Sequence, residues 1–463
     1  VSLSRAEIGV DLKSAIRELA QELKRRLAQD RQSNDARPTV VRVERVVSDI
    51  SPLQAILRAK AERKVYWRER DGSIECAGIG VADLVTVDGI SDAARAFEVM
   101  RARLQSLGAT ARYFGGFRFD KFAGAKPISP EWNSLGSGLF VLPLVEIRRR
   151  KDTTILAIQI VTGSTSALDT IDQFQFDSDS GSDAIGGLPA IRDCRELPNR
   201  DEWNRHAARA LRAISADEIR KVVLARRVSY DCINPFNPFR LLERAFAASD
   251  SATIFGIQQK CGSGFIGGTP ELLFSRSGDC VESEAIAGTR RMATEDHTDS
   301  HSSAEFRQSH KDRREVDLVR DAITDRLARY CMSIESPHDP EICRAGNVQH
   351  LRYPVGGILK TGVSDAELLA VLSPTPAVCG TPSEKAIALI RESEGFDRGW
   401  YAGPVGWISK DAAQFAVAIR SALVNGNTVH LYSGAGIVDG SEASSEWEEL
   451  DAKIATLKAA LGA

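Results

Sequence analysis

From about residue 200 onward, strong strand segments follow one another across short turns, with helical segments interspersed. "KVVLARRVSY" (221–230), "ATIFGIQ" (252–258), "FAVAIRSALV" (415–424) and "TVHLYSGAGIV" (428–438) are rich in β-branched and aromatic residues. Helical periodicity recurs at 203–215, 304–331, 383–393 and 445–460. This order predicts an α+β fold rather than a doubly wound sheet. One segment tests the alternative. "GSGFIG" (262–267) matches the dinucleotide-binding glycine pattern, with Glu282 and Glu284 at about the distance of a ribose-binding acid. The following "TPELLFSRSGDCVES" has room for one short helical turn, whereas a parallel crossover needs about a dozen residues or more. The dinucleotide reading is therefore rejected.

The remainder of the chain sets broad limits. Residues 1–200 mix helices with short strands, and "VSLSRAEIGVDLKSAIRELAQELKRRLAQ" reads as an amphipathic helix without a signal-peptide core. "FDSDSGSDAIGG" (176–187) and "TEDHTDSHSS" (294–303) read as polar loops. The net charge of −3 over 463 residues offers no basic field for nucleic acid. No apolar run approaches the roughly 20 residues that span a membrane. The eight cysteines form no C-x-x-C, and the seven histidines form no H-E-x-x-H, which argues against a metal finger, a disulfide framework and zinc hydrolase chemistry. The expectation is a reduced, cytoplasmic protein.

Several polar groups stand where packing alone does not require them. In "SSEWEELDAK" (444–453), Trp447, Leu450, Ile454 and Leu457 make the buried stripe of a helix. Ser445 and Glu448 fit a capping box, Glu446 sits in the first turn, and Asp451 is exposed. Glu449 borders the stripe and shares a face with Glu446 and Lys453, as an exposed ion pair or a carboxylate with another task. Glu315 borders the Val316–Val319–Ile323 stripe of "HKDRREVDLVRDAI" in the same way. Two such carboxylates suit Mg²⁺ held jointly with a substrate anion. Lys221 opens a strand, either reaching to water from its end or acting as a base. Glu271 follows a glycine-rich turn, as an acid in a helical first turn or as a proton donor. "EAIAGTRR" (284–291) ends an apolar strand in a plain turn or in an anion-holding nest. Arg420 is read within "FAVAIRSALV" on a face of Ala416, Ala418 and Ala422, with room for a ligand carboxylate or an internal ion pair.

These residues lie in motifs through which the chain resembles the chorismate-utilising enzymes, the family of isochorismate synthase, salicylate synthase, anthranilate synthase component I and aminodeoxychorismate synthase. "KVVLAR", "FIGGTPELLF", "EAIAGTR", "KDRREV", "VQHLRYPV", "PTPAVCGTP", "FDRGWYAGPVGW", "FAVAIR" and "SGAGIVDGSEASSEWEELDAK" run in family order across 221–453. "FGGFRF" (114–119) is the clearest trace in the first 200 residues. The resemblance implies one domain over 1–463: two sheets in a sandwich with helices outside, a divergent half at 1–200, and a half at 201–463 carrying the active site. Ala287 stands where aminodeoxychorismate synthases carry a nucleophilic lysine, and Lys221 is absent from anthranilate synthases. Both point to the water-using branch, and "EAIAGTR" and "VQHLRYPV" look most like isochorismate synthases. One departure is Ser373, where the family usually has histidine.

The resemblance also implies roles. Lys221 would be the general base and Glu271 the general acid. Mg²⁺ would sit on Glu315 and Glu449, with Glu446 acting through water. Gly288 and Thr289 would offer backbone N–H groups to the substrate's ring carboxylate. Arg420, Tyr401 and the backbone near Gly436 would take its enolpyruvyl carboxylate, with Lys453 near the metal carboxylates and His350 near the ring. The implied reaction is reversible, redox-free conversion of chorismate to isochorismate, by a monomer without a glutamine-amidotransferase subunit. Salicylate synthase is the runner-up within the family, and a non-catalytic chorismate-binding subunit the rival outside it. Menaquinone, a catechol siderophore or salicylate could each be the use of the product.

Overall fold

A computed structural model describes residues 5–30, 38–47, 50–88, 92–105, 110–120, 128–163, 175–176, 188–291, 306, 309–345 and 348–463. The loop read at 294–303 and residues 177–187 of the loop read at 176–187 lie outside the described residues. The strand segments form two large sheets, and every strand pair in them is antiparallel. The first sheet runs in the order Val40–Val47, Thr153–Val161, Val145–Arg150, Ile74–Ile79, Lys64–Arg68, Thr253–Lys260, Ser263–Thr269, Ser421–Asn425, Thr428–Ile437, Lys221–Cys232 and Ile191–Leu197. Gly380–Thr381 adds to the Lys221 end of that sheet. The second runs Cys331–Glu335, Val348–Leu359, Cys280–Arg291, Leu272–Ser277, Ala412–Val417, Pro404–Ile408, Tyr113–Phe117, Gly138–Leu142 and Asp83–Thr86. Both halves of the chain thus contribute strands to both sheets. Ser263–Thr269 is followed at once by the antiparallel strand Leu272–Ser277, so no helix follows the glycine pattern of 262–267.

The predicted helices form at Arg5–Asp30, Arg200–Ser215, His310–Leu327, Ser383–Ser393 and Ala443–Leu461. Within His310–Leu327, Val316, Val319, Ile323 and Leu327 are buried, against the strands Cys280–Arg291 and Val348–Leu359. Each buried aliphatic side chain contributes roughly 1.5–3 kcal/mol, while an exposed Glu–Lys pair adds about 0.2–0.5 kcal/mol. The stripe therefore holds the helix, and Glu315 beside it is not needed for that purpose. The last helix buries Trp447, Leu450, Ile454, Leu457 and Leu461 and ends at Gly462, whose φ of 75° is the left-handed stop that glycine adopts without strain. Arg226, fully buried, stacks 4.4 Å over Trp447 and donates to Asp451 at 2.6 Å. The capping box read at Ser445 and Glu448 is not formed. The helix starts three residues earlier, at Ala443, with Glu442 as N-cap and no side-chain cap bond. None of the described helices is long and apolar enough to cross a membrane.

The chain changes sheet twice at one place. It leaves the first sheet after Thr269 and enters the second at Leu272, and it leaves the second after Val417 and re-enters the first at Ser421. "FAVAIRSALV" is therefore two strands joined by a bend, not one strand. Arg420 has no alternating face-mates, because it lies in the bend with φ of 51°. Glycine would adopt this backbone without strain, whereas a side chain costs of order 1 kcal/mol or more there. The arginine side chain must account for its presence by what it does.

Asp365 links this region to the next segment. Fully buried, it pairs with both Arg276, on the strand after the first switch, and Arg101. It begins the helix Asp365–Leu372, whose chain continues to Thr375. Asp365→Ala leaves the buried Arg276 guanidinium, and the half-buried Arg101, without their anion, and is expected to lower unfolding free energy by roughly 3 kcal/mol, measured by urea denaturation.

Candidate active site

The two sheet switches, the Lys221 end of the first sheet, and the helices His310–Leu327 and Ala443–Leu461 enclose a cavity of about 60 Å³. Lys221, the first residue of its strand, is 1% exposed and donates from Nζ to Glu315 Oε1 at 2.9 Å. The reading of a strand-end lysine reaching water is thereby corrected: Gly380–Thr381 pairs beside it and covers it. Across the sheet, Gly436 faces this pair. A Cβ there would come within 2.9 Å of Glu315 Oε1 and 3.0 Å of Lys221 Cε, so only glycine leaves the pair its space.

Glu271 lies in the first switch, not in a helical turn. It is 3% exposed and accepts a hydrogen bond from Thr375 Oγ1 at 2.9 Å. Burial is the main cause that raises its carboxyl to about pKa 7, and nearby Glu284 adds to it, opposed by Thr375, Lys221 and Lys453. Arg420 lies in the second switch, with Nη2 buried and without a hydrogen-bond partner among the described residues. Burial lowers its affinity for the proton, and Tyr401, Glu449 and Glu271 restore part of it. A buried guanidinium with a vacant donor is a receptor for a carboxylate. Tyr401 stacks on Tyr432 at 5.1 Å, and burial raises its hydroxyl well above the usual range.

The strand Cys280–Arg291 is bulged near its end. Pairing with Val348–Leu359 shifts between Ala287 and Arg290, and Gly288 takes φ of 68°. Its N–H donates to Glu315 Oε2 at 3.2 Å. Its C=O accepts from His350 Nδ1 at 2.9 Å. Burial and Arg420 lower the His350 pKa to about 3, so the ring is neutral at pH 7. The proton on Nδ1 leaves Nε2 as an acceptor. Lys453 donates to Gly434 C=O at 2.7 Å and pairs with Glu449 Oε1 at 2.5 Å, both side chains largely shielded.

The structure thus brings Glu271, Gly288, Glu315, His350, Tyr401, Arg420, Gly436, Glu449 and Lys453 to one cavity, and Lys221 stands behind its wall, bonded to Glu315. Glu446 is buried on the same helix, three residues before Glu449, but is not part of the lining. Thr289 continues the bulged strand next to Gly288. Thr375 was missed, although its motif "PTPAVCGTP" was recognised, because only the folded chain shows it reaching Glu271. A wider cleft of about 1220 Å³ lies beyond Pro270, Arg420 and Lys453, which line both, but it contains neither Lys221 nor Glu271.

The donor set can be tested for a metal. Among the described residues, no group of three or more His, Cys, Asp or Glu side chains could hold an ion. The cavity offers two carboxylates, Glu315 and Glu449, each held now by a lysine. Oxygen donors this few fit a hard divalent cation that keeps waters and shares a substrate anion, and do not fit an ion enclosed by protein.

Residues 23–462 match the family model described as chorismate binding enzyme. The chain is 33% identical over 354 residues to the isochorismate synthase MenF of Bacillus subtilis, covering 75% of this chain and 74% of that protein. It is 34% identical over 355 residues to the chloroplastic isochorismate synthase of Catharanthus roseus, covering 74% of this chain and 60% of that longer one. Among solved structures, the menaquinone-specific isochorismate synthase MenF of Escherichia coli superposes with a TM-score of 0.81 at 26% identity, over 96% of this chain and 99% of that one.

Glu271 makes stability depend on pH. Its folded pKa of about 7 lies above its unfolded value. The stability it contributes is therefore full below about pH 4.5 and lost as pH rises through 7. Glu271→Gln lacks this loss. Relative to wild type, the variant is expected to gain roughly 3 kcal/mol of unfolding free energy between these limits, read from denaturation curves at acid and alkaline pH. A pH-independent difference would place the Glu271 pKa in the ordinary range.

Proposed function

The chain belongs to the chorismate-binding enzyme family, and from that membership we propose that it is an isochorismate synthase, converting chorismate reversibly to isochorismate. The observation that carries this reading is a buried carboxyl of pKa about 7, Glu271, on the wall of a cavity whose Glu315 is bonded to a buried lysine, Lys221. A protein that only binds chorismate needs neither. Ala287 supports water rather than a lysine amine as the nucleophile, so no glutamine-amidotransferase subunit is required.

Arg420 pairs through its vacant Nη2 with the enolpyruvyl carboxylate, and Tyr401 flanks it. The N–H groups of Gly288 and Thr289 face the ring carboxylate, and neutral His350 lies along the ring. Lys221 takes a proton from a water, whose oxygen bonds to ring carbon C2. The ring double bond shifts, the C4–oxygen bond breaks, and Glu271 gives its proton to the departing hydroxyl, which leaves as water. One water enters and one leaves, so no electron acceptor is consumed. Glu271 must be protonated for this step, and burial keeps it so near neutral pH. Glu315 and Glu449 would hold a divalent cation, best matched by Mg²⁺, with Glu446 acting through a water. Bound there, Mg²⁺ would anchor and polarise the ring carboxylate. Lys221 and Lys453 now hold those two carboxylates, so these pairs would have to open for Glu315 and Glu449 to hold the cation.

Proton NMR of chorismate incubated with the protein and Mg²⁺ is expected to show isochorismate at equilibrium without stoichiometric pyruvate. Salicylate plus pyruvate as the main products would overturn the assignment in favour of salicylate synthase. Lys221→Ala and Glu271→Gln should each lower kcat by roughly 10²-fold or more, with much smaller changes in chorismate binding.

The carboxylates give a separate test. Chorismate and Mg²⁺ should each tighten the other by the same factor. Glu449→Gln and Glu315→Gln should remove this coupling in calorimetric titrations. Exposed Glu448→Gln should keep it, and should alter stability by no more than about 0.5 kcal/mol. Loss of coupling in Glu448→Gln with retention in Glu449→Gln would assign the wrong carboxylate.

A further inference from the structure

Glu284, set aside with the dinucleotide pattern, is 4% exposed and lies on the strand Cys280–Arg291. A buried carboxylate needs compensation, and its partners are specific. Arg70, in the turn after the strand Lys64–Arg68, donates from Nη1 to Glu284 Oε2 at 2.9 Å and from Nη2 to Oε1. Arg352 Nη1 stands 3.5 Å from Oε2. The backbone N–H of Leu272 donates to Oε1 at 2.5 Å. Arg70 Nη2 also donates to the C=O of Pro270.

These bonds fall on either side of Glu271. Its own N–H donates to Thr269 Oγ1 at 3.2 Å, and its own C=O accepts from Val417 N–H at 3.0 Å. The C=O before it and the N–H after it belong to neither sheet ladder, and Arg70 and Glu284 take them. The general acid thus sits on a two-residue link whose peptides are fixed from outside by one ion pair, half of it supplied by the first 200 residues.

We propose that Arg70 and Glu284 are positioning residues for Glu271, clamping the peptides that flank it so that its carboxyl is presented to the cavity. The inference rests on the reading of Glu271 as the general acid. Neither residue lines that cavity; both lie on the wider cleft behind it. The pair also sets the local field. The Glu284 charge helps Glu271 keep its proton, while Lys221, Lys453, Arg420 and Arg70 oppose it, with the Thr375 and Tyr401 hydroxyls alongside.

The test uses the full chain with Glu284→Gln, Arg70→Met and Arg70→Lys. Glu284→Gln keeps an acceptor for Leu272 N–H and loses the charge. The alkaline limb of its kcat profile should move to lower pH by roughly half to one unit, with KM for chorismate within about twofold. Arg70→Met should lower kcat about tenfold or more with little change in KM, and Arg70→Lys should recover part of it. The second readout needs no turnover: the midpoint of the pH-dependent stability gap between each background and its Glu271→Gln derivative should move with the limb. Variants that lose stability while limb and midpoint stay at wild-type pH would show a merely structural ion pair, and would overturn the proposal. If Glu271→Gln alone retains turnover, the general-acid reading fails instead, and the stability midpoint still decides whether the pair acts on Glu271.

Discussion

Two sheets that share strands must let the backbone leave one ladder before it joins the other, and in that interval its N–H and C=O groups lose their partners. Buried without partners, such groups destabilise a fold by amounts comparable to its net stability. Here the two intervals lie side by side and supply one another. Gly268 N–H donates to the C=O of Arg420 at 3.2 Å, and Val417 N–H donates to the C=O of Glu271. The second interval also bonds to the segment before Pro404, Ala418 N–H to Gly403 C=O and Ala402 N–H to Ala418 C=O. Because these residues follow no ladder, their side chains are not bound to the alternation of a pleat. Glu271 and Arg420 can therefore point into the same space from neighbouring bends.

Charge in that space follows from the same geometry. Two cations, Arg420 and Lys453, line that space with the carboxyl groups Glu271, Glu315 and Glu449, and a third, Lys221, pairs with Glu315 from behind the wall. Two lysine–glutamate pairs satisfy four of them. What is left is an acid that burial keeps protonated near neutrality and a guanidinium with a vacant donor. Under the proposed function, a dicarboxylate ligand would meet complementary needs at one end, and a cation would replace the lysines at the other. Buried ion pairs of this kind contribute little net stability in themselves, which is consistent with their being exchanged during function.

The sequence made much of this legible, for identifiable reasons. Helical stripes such as Val316–Val319–Ile323 and Trp447–Leu450–Ile454 have a period that reports burial directly. The strands Lys221–Cys232 and Thr428–Ile437 were equally plain. The motifs named most of the cavity, because their spacing carries the resemblance. Where a strand bends between sheets, the local pattern gave no warning: Ala416, Ala418, Arg420 and Ala422 alternate as a strand would, and only a left-handed residue at 420 separates them. The helix start at Ala443 is hidden for a related reason. Ser445 and Glu448 have capping-box spacing, but Trp203 Nε1 bonds the C=O of Ala443 at 2.8 Å and the helix begins upstream. Thr375, Arg70 and Glu284 act across 104, 200 and 12 residues of sequence, respectively, on the Pro270–Leu272 segment. No local period encodes such contacts.

The interleaving of the two halves in both sheets bears on how the polypeptide is made. Lys64–Arg68 pairs with Thr253–Lys260, and Tyr113–Phe117 pairs with Pro404–Ile408. A nascent chain of 200 residues already carries two apolar strands whose neighbours are not yet synthesised. Contacts this distant in sequence close slowly, since loop-closure entropy must be overcome before pairing rewards it. Until the ribosome has passed residue 408, the strand containing Phe114 and Phe117 has an open edge of the kind that associates with other chains. The fold that brings Glu271 and Arg420 together in neighbouring bends thus also makes newly emerging protein dependent on late-arriving strands, and so a natural client for chaperones during translation.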